Sequence, residues 1–346
     1  MKNRLLLLTF CSLLCSAFLA AQETSEGSSD SKSQNEGAFV SAKKIKDSLY
    51  YLSYKNTNSV AFLGRYYTLL IDGHDAKAAP QTLTTAGRLS INPVRFLVNT
   101  HHHQEQTGGN AYFSESGVTI MCHEQAYNNI WAESNADEIE KIQDLKQQFL
   151  KGQKENTAIS QEVNTKIQKL QNEGVEQDLS YSAFLFGNQF SINLVNENIE
   201  FSHYPASHTS GDVVAFFKNN NVLVCGDLFY NGRYPFIDLK MGGNIDNYLN
   251  SLTALSKMCN NDTVIVPAHG PIASKSDLEA YKRMIEYTEK GVQMDYLLGK
   301  TLEEVLANTS ITANFEAQGY GRGAVTREAY IRMLYSAAEQ RYPRKK

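Results

Sequence analysis

Short apolar runs separated by turns fill the first third of the chain, the pattern of a layered sheet protein. Residues 59–63 and 67–72 predict two strands, the second stopped by Asp72-Gly73. Residues 94–99 predict a third that runs straight into three histidines, and 118–122 a fourth. The period then changes. Ile139, Ile142, Leu145 and Phe149 recur at helical spacing, as do Ile159, Val163, Ile167 and Leu170. Residues 134–172 therefore predict a helical hairpin, an amphipathic insertion lying over the core or over the mouth of a site. Strand patterning resumes at 189–193, 199–201, 212–218 and 222–225. A loop (227–241), a helix (245–258) and a strand (263–266) follow, and helices over 277–289, 301–306 and 327–340 end the chain. Two strand-rich portions, roughly 45–130 and 180–270, suggest two sheets facing each other.

The N-terminus is of another kind. Lys2 and Arg4 precede an apolar run that ends in small residues near Ala20 and Ala21, the layout of a secretory signal peptide over 1–21. The run is short and has polar residues directly behind it, so no stable membrane insertion is expected after cleavage. The protein is expected to be exported, to a periplasm or beyond. Residues 22–44 predict a flexible polar leader, 45–275 the main domain and 276–346 a C-terminal helical extension packed on that domain. Of 5 cysteines, Cys11 and Cys15 leave with the signal; Cys122, Cys225 and Cys259 are too few for a disulfide framework and predict at least one buried thiol. A net charge of −4 over 346 residues, with no basic tract, argues against nucleic acid as a partner. No obligate protein partner is evident either, which leaves a small-molecule substrate.

His101 and His103 stand two apart directly after a strand, so both imidazoles point the same way and can reach one ion, while His102 points the other way. Thr107-Gly108-Gly109-Asn110 supplies small residues where chain must pass close to a site. The segment from Asn99 to Asn110 resembles the metal-binding signature of the metallo-β-lactamase superfamily, His-x-His-x-Asp-His before Gly-Gly-Asn. Four more elements occur in that family's order: Asp72 at a strand end, His208-Thr209-Ser210-Gly211-Asp212, Gly226-Asp227, and Ala268-His269-Gly270-Pro271. The resemblance implies an α+β fold, a four-layer α-β-β-α sandwich with the site where the sheets meet. It implies a first metal site of His101, His103 and His208, with Asp227 reaching between two sites and the second formed by positions 105, 106 and 269.

Here the chain departs from the pattern. Position 105 is Glu in place of Asp and 106 is Gln in place of His. Gln106 offers a neutral amide oxygen, a poor substitute for imidazole at a borderline ion. One tightly held Zn²⁺ is expected, and at most a weak second ion at Glu105 and His269. The implied activity is hydrolysis of a cyclic amide, ester or related carbonyl by metal-bound hydroxide, with Asp227 and Glu105 as catalytic carboxylates. Arg233 and Tyr234 are candidate substrate contacts. The competing reading is an exported, non-catalytic metal- or ligand-binding protein with a degenerate site. His203 reads as a loop histidine or one that supports a ligand from behind, His74 and His123 as structural or surface groups, and Cys225 as a buried inert thiol, with a ligand role left open by its place on the same strand side as Asp227.

Overall fold

The computed structural model describes residues 39–136, 181 and 183–344, with isolated positions between 137 and 180. Seven strands lie side by side in chain order: β1 (Ser41–Lys46), β2 (Leu49–Tyr54), β3 (Thr57–Leu63), β4 (Thr68–Ile71), β5 (Val94–Val98), β6 (Thr119–His123) and β7 (Ala183–Phe186). The first four form an antiparallel meander, and β4 to β7 are parallel. Parallel neighbours need crossovers. Helix α1 (Ala79–Leu89) joins β4 to β5, and the short α2 (Gln104–Thr107) and α3 (Asn110–Glu115) join β5 to β6. Helix α4 (Glu124–Ser134) leaves β6.

The second sheet has five strands, running β12 (Val264–Val266), β11 (Val222–Val224), β10 (Asp212–Phe217), β9 (Asn198–Tyr204) and β8 (Gln189–Asn193) across it. Helix α5 (Ile245–Met258) makes the crossover between the parallel pair β11 and β12. The side chains of β10 show how the layers arise, because successive residues face opposite sides of a strand. Val213, Ala215 and Phe217 point into an inter-sheet core with Val60, Phe62, Leu69, Ile71 and Val98 of the first sheet. Val214 and Phe216 point outward, into a core with Leu252, Tyr281, Ile285 and Tyr330. A third core packs Leu70, Leu97 and Ile120 against α1 and α3 through Ala79, Ala86 and Phe113. Three cores between four layers make the chain an α-β-β-α sandwich.

The outermost helical layer comes from the C-terminal segment: α6 (Lys275–Leu297), α7 (Leu302–Ala307), α8 (Ala313–Glu316) and α9 (Arg327–Arg341). Helix α6 is longer than its apolar period suggested. It starts at a capping box in which Ser274 and Asp277 satisfy each other's backbone N–H groups. Strands β1, β2 and β7 have no clear apolar alternation. β1 is an edge strand whose Ser41–Lys44 are exposed, and lysines on an edge deter pairing with other chains. Strand structure thus begins inside the stretch expected as flexible leader, which extended to residue 44. The hairpin expected over 134–172 lies, beyond Ala136, outside the described residues except at isolated positions. Among the described residues no helix is long and apolar enough to cross a membrane.

Candidate metal centre

The histidine loop is held at both ends before any ion is considered. Asn99 and Asn110 exchange side-chain hydrogen bonds of 3.2 and 2.9 Å in a buried pair. Asp72, at φ 62° just past β4, accepts from the Thr100 backbone N–H and hydroxyl, both at 2.8 Å. Burial pushes the Asp72 carboxyl up to about 7, against the pull of those two Thr100 hydrogen bonds. Thr107 Oγ1 donates to the His102 carbonyl at 2.8 Å. The loop therefore presents its imidazoles from a fixed backbone.

The remaining residues arrive from three other turns. His208 follows β9, in a turn where Asp212 accepts from the Thr209 N–H (2.8 Å) and hydroxyl (2.7 Å). Its Nδ1 meets the Phe236 carbonyl at 2.7 Å, which directs Nε2 toward the site. Asp227 sits in a single 3-10 turn, Gly226–Leu228, after β11. Gly226 has φ 51°, and a Cβ there would lie 2.8 Å from Thr100 Oγ1, so glycine lets the Asp227 turn close against the histidine loop. His269 follows β12, with Nδ1 3.0 Å from the Asn56 carbonyl.

These four sources converge. His103 Nδ1 lies 3.2 Å from His101 Nε2 and 3.1 Å from His208 Nε2. Asp227 Oδ2 is 3.6 Å from His101 Nε2 and 3.4 Å from His208 Nε2, while its Oδ1 is 3.3 Å from His269 Nε2. The ligand atoms of His101, His103, His208 and Asp227 all fall within 4.8 Å of one another, as do those of Glu105, Asp227 and His269. Glu105 Oε1 stands 2.9 Å from His269 Nε2, with its side chain half exposed.

The first cluster fits a divalent ion on its own chemistry. Burial holds His101 well below the usual histidine range and His208 down to about 4, so both rings are neutral, the form that ligates. Burial would raise Asp227, but His269, His101 and His208 hold it well below the usual carboxylate range. Three imidazole nitrogens aimed at one point with a carboxylate beside them is a zinc-type donor set. The second cluster is poorer. Gln106 is fully buried beside it, and neither atom of its amide has a hydrogen-bond partner. That is an unsatisfied polar group where the family pattern places a ligand.

Residues outside the signature complete the centre. Tyr230 donates its hydroxyl to Asp227 Oδ2 at 2.5 Å and stacks on His269 at 5.1 Å between ring centroids. Burial and the Asp227 charge push its phenol well above its ordinary range, so it remains a donor. Asp238 Oδ2 lies 3.3 Å from His103 Nε2. Burial would raise Asp238, but His103 and the Met241 and Lys240 N–H groups bring it to about 2. Tyr230 had no signal beyond its place in the loop over 227–241. Asp238 had none beyond its place in an unusual polar loop.

The tertiary structure decides several single-residue expectations. His203 is on strand β9 and not in a loop; it stacks on His123 at 3.6 Å and bonds the Ser210 carbonyl at 2.8 Å. His74 and His123 are buried structural groups, the first of the two roles expected for them, His74 against Thr82 at 2.8 Å. Cys225 lies in the helix-side core, with Sγ 3.5 Å from the Val266 carbonyl, and the 3-10 turn takes Asp227 off its strand face. Burial pushes that thiol well above its ordinary range, and it has no place in the metal cluster. Cys122 and Cys259 are likewise free and buried.

A cavity of about 620 Å³ opens beside the centre, lined in part by His103, Glu105, Asp227, Tyr230 and His269. Arg233 and Tyr234 also line it. Tyr234 is otherwise fully buried, its ring stacked on Tyr330 of α9 at 4.4 Å, so it offers the cavity a wall and not a mobile side chain. Arg233 reaches Asn56 Oδ1 at 3.2 Å across the rim. Gly243 holds the far side of the same loop: a Cβ there would lie 2.7 Å from the Asp238 carbonyl and would also meet that of His208. Gly243→Ala is expected to destabilise the protein by about 1–3 kcal/mol through overpacking. Urea unfolding checks this; an unchanged midpoint would mean that the loop moves freely.

The family model of the metallo-beta-lactamase superfamily matches residues 56–269, a span holding every residue of the two clusters. The chain belongs to the metallo-beta-lactamase superfamily, with an altered second metal site. A solved structure, a metallo-beta-lactamase from Pontibacter korlensis, is similar at 16% identity with a TM-score of 0.51, covering 71% of this chain and 99% of that one. At that identity the likeness is one of fold. No curated protein is similar enough to this chain to match it. Ala324 and Val325, which line the cavity, lie beyond the matched span, so the C-terminal extension shapes this chain's own pocket.

Proposed function

We propose that the chain is an exported zinc hydrolase acting on a cyclic amide, ester or related carbonyl substrate. The observation that carries this reading is the convergence of His101, His103, His208 and Asp227 beside an open cavity. When bound there, a divalent ion supplies Lewis acidity and brings the ionisation of water to near neutral pH. His101, His103 and His208 would hold that ion, and Asp227 keeps its second oxygen toward His269. Tyr230 fixes the Asp227 carboxylate through its hydroxyl. Glu105, at the cavity edge, takes the proton of the attacking water at Oε1 and returns it to the leaving nitrogen or oxygen. Lys55 and Arg233 line the same cavity and suit a substrate with a negative group near the scissile bond. The charged start and short apolar core of residues 1–21 support export.

Gln106 favours a second reading. Its buried, unpartnered amide suits a site that has lost its second ion and serves binding alone. Turnover of a chromogenic cephalosporin, a lactone, a thioester and a bis-aryl phosphodiester separates the two readings. The hydrolase reading expects at least one substrate to be cleaved, with activity lost on chelation and restored by Zn²⁺. No turnover of any of the four, with the ion bound, would favour the binding protein.

The same centre sets the metal count. Purified protein freed of loosely bound ions is expected to retain about one zinc per chain, because one cluster has three imidazoles and the other has one. Elemental analysis checks it. Two ions that both resist dialysis against a weak chelator would show that the first cluster is not the single tight site.

A further inference from the structure

We propose that the chain carries an outer cation site, built from His102, His103, Glu133 and Asp238, that takes a borderline divalent transition-metal ion such as Zn²⁺. One nitrogen or carboxylate oxygen from each of the four lies within 4.8 Å of the others. They come from three separate places: the loop after β5, the last turn of α4 and the loop after β11. None of His102, Glu133 and Asp238 belongs to the hydrolytic clusters.

His102 is the independent observation. It is fully buried, and neither ring nitrogen has a hydrogen-bond partner. Buried imidazole nitrogens are nearly always satisfied. The Nε2 atom points at Glu133 Oε1 across 3.3 Å, too poorly aligned for a hydrogen bond but placed for both to face one ion. His103 links the two sites through one ring. Its Nδ1 faces His101 and His208, and its Nε2 faces Asp238 at 3.3 Å.

The donor set selects the ion. Two imidazole nitrogens with two carboxylates suit Zn²⁺, Ni²⁺ or Cu²⁺, whereas Ca²⁺ and Mg²⁺ prefer oxygen alone. The two carboxylates match the double charge of a divalent ion. His103 and Glu133 both line the large cavity, which gives the ion a way in. As the ion binds, the proton on His103 Nε2 leaves to solvent, and the ring then bridges the inner and outer cations. Because it depends on a partly exposed Glu133, the outer ion binds more weakly than the inner one.

The test is calorimetric titration of the full, metal-free chain with Zn²⁺. The wild type is expected to show two events, one tight and one weaker, each near one ion per chain. Glu133→Gln keeps the shape of the side chain and should weaken the second event about tenfold or more while leaving the first. His102→Gln should do the same. Glu105→Gln, which touches only the altered cluster, should leave both events in place. A single event in the wild type would overturn the proposal. So would a second event that survives Glu133→Gln, or one that disappears in Glu105→Gln and so belongs to Asp227 and His269. Loss of turnover on its own would bear on the hydrolase reading and not on this site.

Discussion

His103→Ala is expected to strip the chain of its tightly held zinc while leaving a folded, cooperative protein. His103 supplies the central donor of the first cluster, its Nδ1 within 3.2 Å of the donor nitrogens of both His101 and His208. Without it the ion keeps two imidazoles and one carboxylate, and water must complete its coordination. An affinity loss of about a hundredfold or more is expected, beyond the 10–100-fold typical of removing a residue that merely orients a ligand. The fold should persist, because His103 belongs to none of the three apolar cores. Its backbone carbonyl, which caps α2 through Gln106 and Thr107, is unaffected by the change. Zinc retained after dialysis and the urea unfolding curve are the two measurements. Retention at wild-type affinity would show that the ligand set is wrong, and loss of cooperative unfolding would show that the loop depends on this ring.

Glu105→Gln is expected to lower kcat by about 10²–10⁴ with the zinc content unchanged, the scale of a lost general base. The substitution keeps side-chain length and the hydrogen bond to His269, now 2.9 Å from Glu105 Oε1, but removes the proton acceptor. The inner cluster does not include Glu105, so occupancy should hold. Steady-state kinetics beside elemental analysis decides the matter. If kcat is unchanged, the Glu105 carboxylate serves only to pair with His269; if zinc is lost with activity, it is a ligand and the division into two clusters fails. Gln106→His is the complementary change. It places an imidazole where a buried amide now has no partner, and it should raise the retained zinc toward two per chain.

Much of this was legible in the chain itself. Short apolar runs located the strands that carry the site, since each ends in a polar turn with a candidate site residue: Asp72, His101 and His103, Asp227 and His269. Helix α5 was legible as an element over about 245–258, and the structure fixes its start at Asn244, which accepts from the Asp246 and Asn247 N–H groups. Strands β1 and β7 were not. They are edge strands with little apolar alternation, and Phe184 and Leu185 of β7 are exposed where a buried strand would hide them. Pairing with a neighbour, a non-local interaction, is what makes them strands.

The sequence by itself determined the types of ligand, their order along the chain and the two substitutions at 105 and 106, because those are matters of side-chain chemistry and local spacing. Only the tertiary structure decided what surrounds them. Asp238 on His103, Glu133 beside His102 and the Tyr234–Tyr330 stack behind the cavity join residues from distant turns and helices. No periodicity encodes such pairs. They exist because two sheets pack face to face over an apolar core, which brings the loops at their shared edge within hydrogen-bond reach.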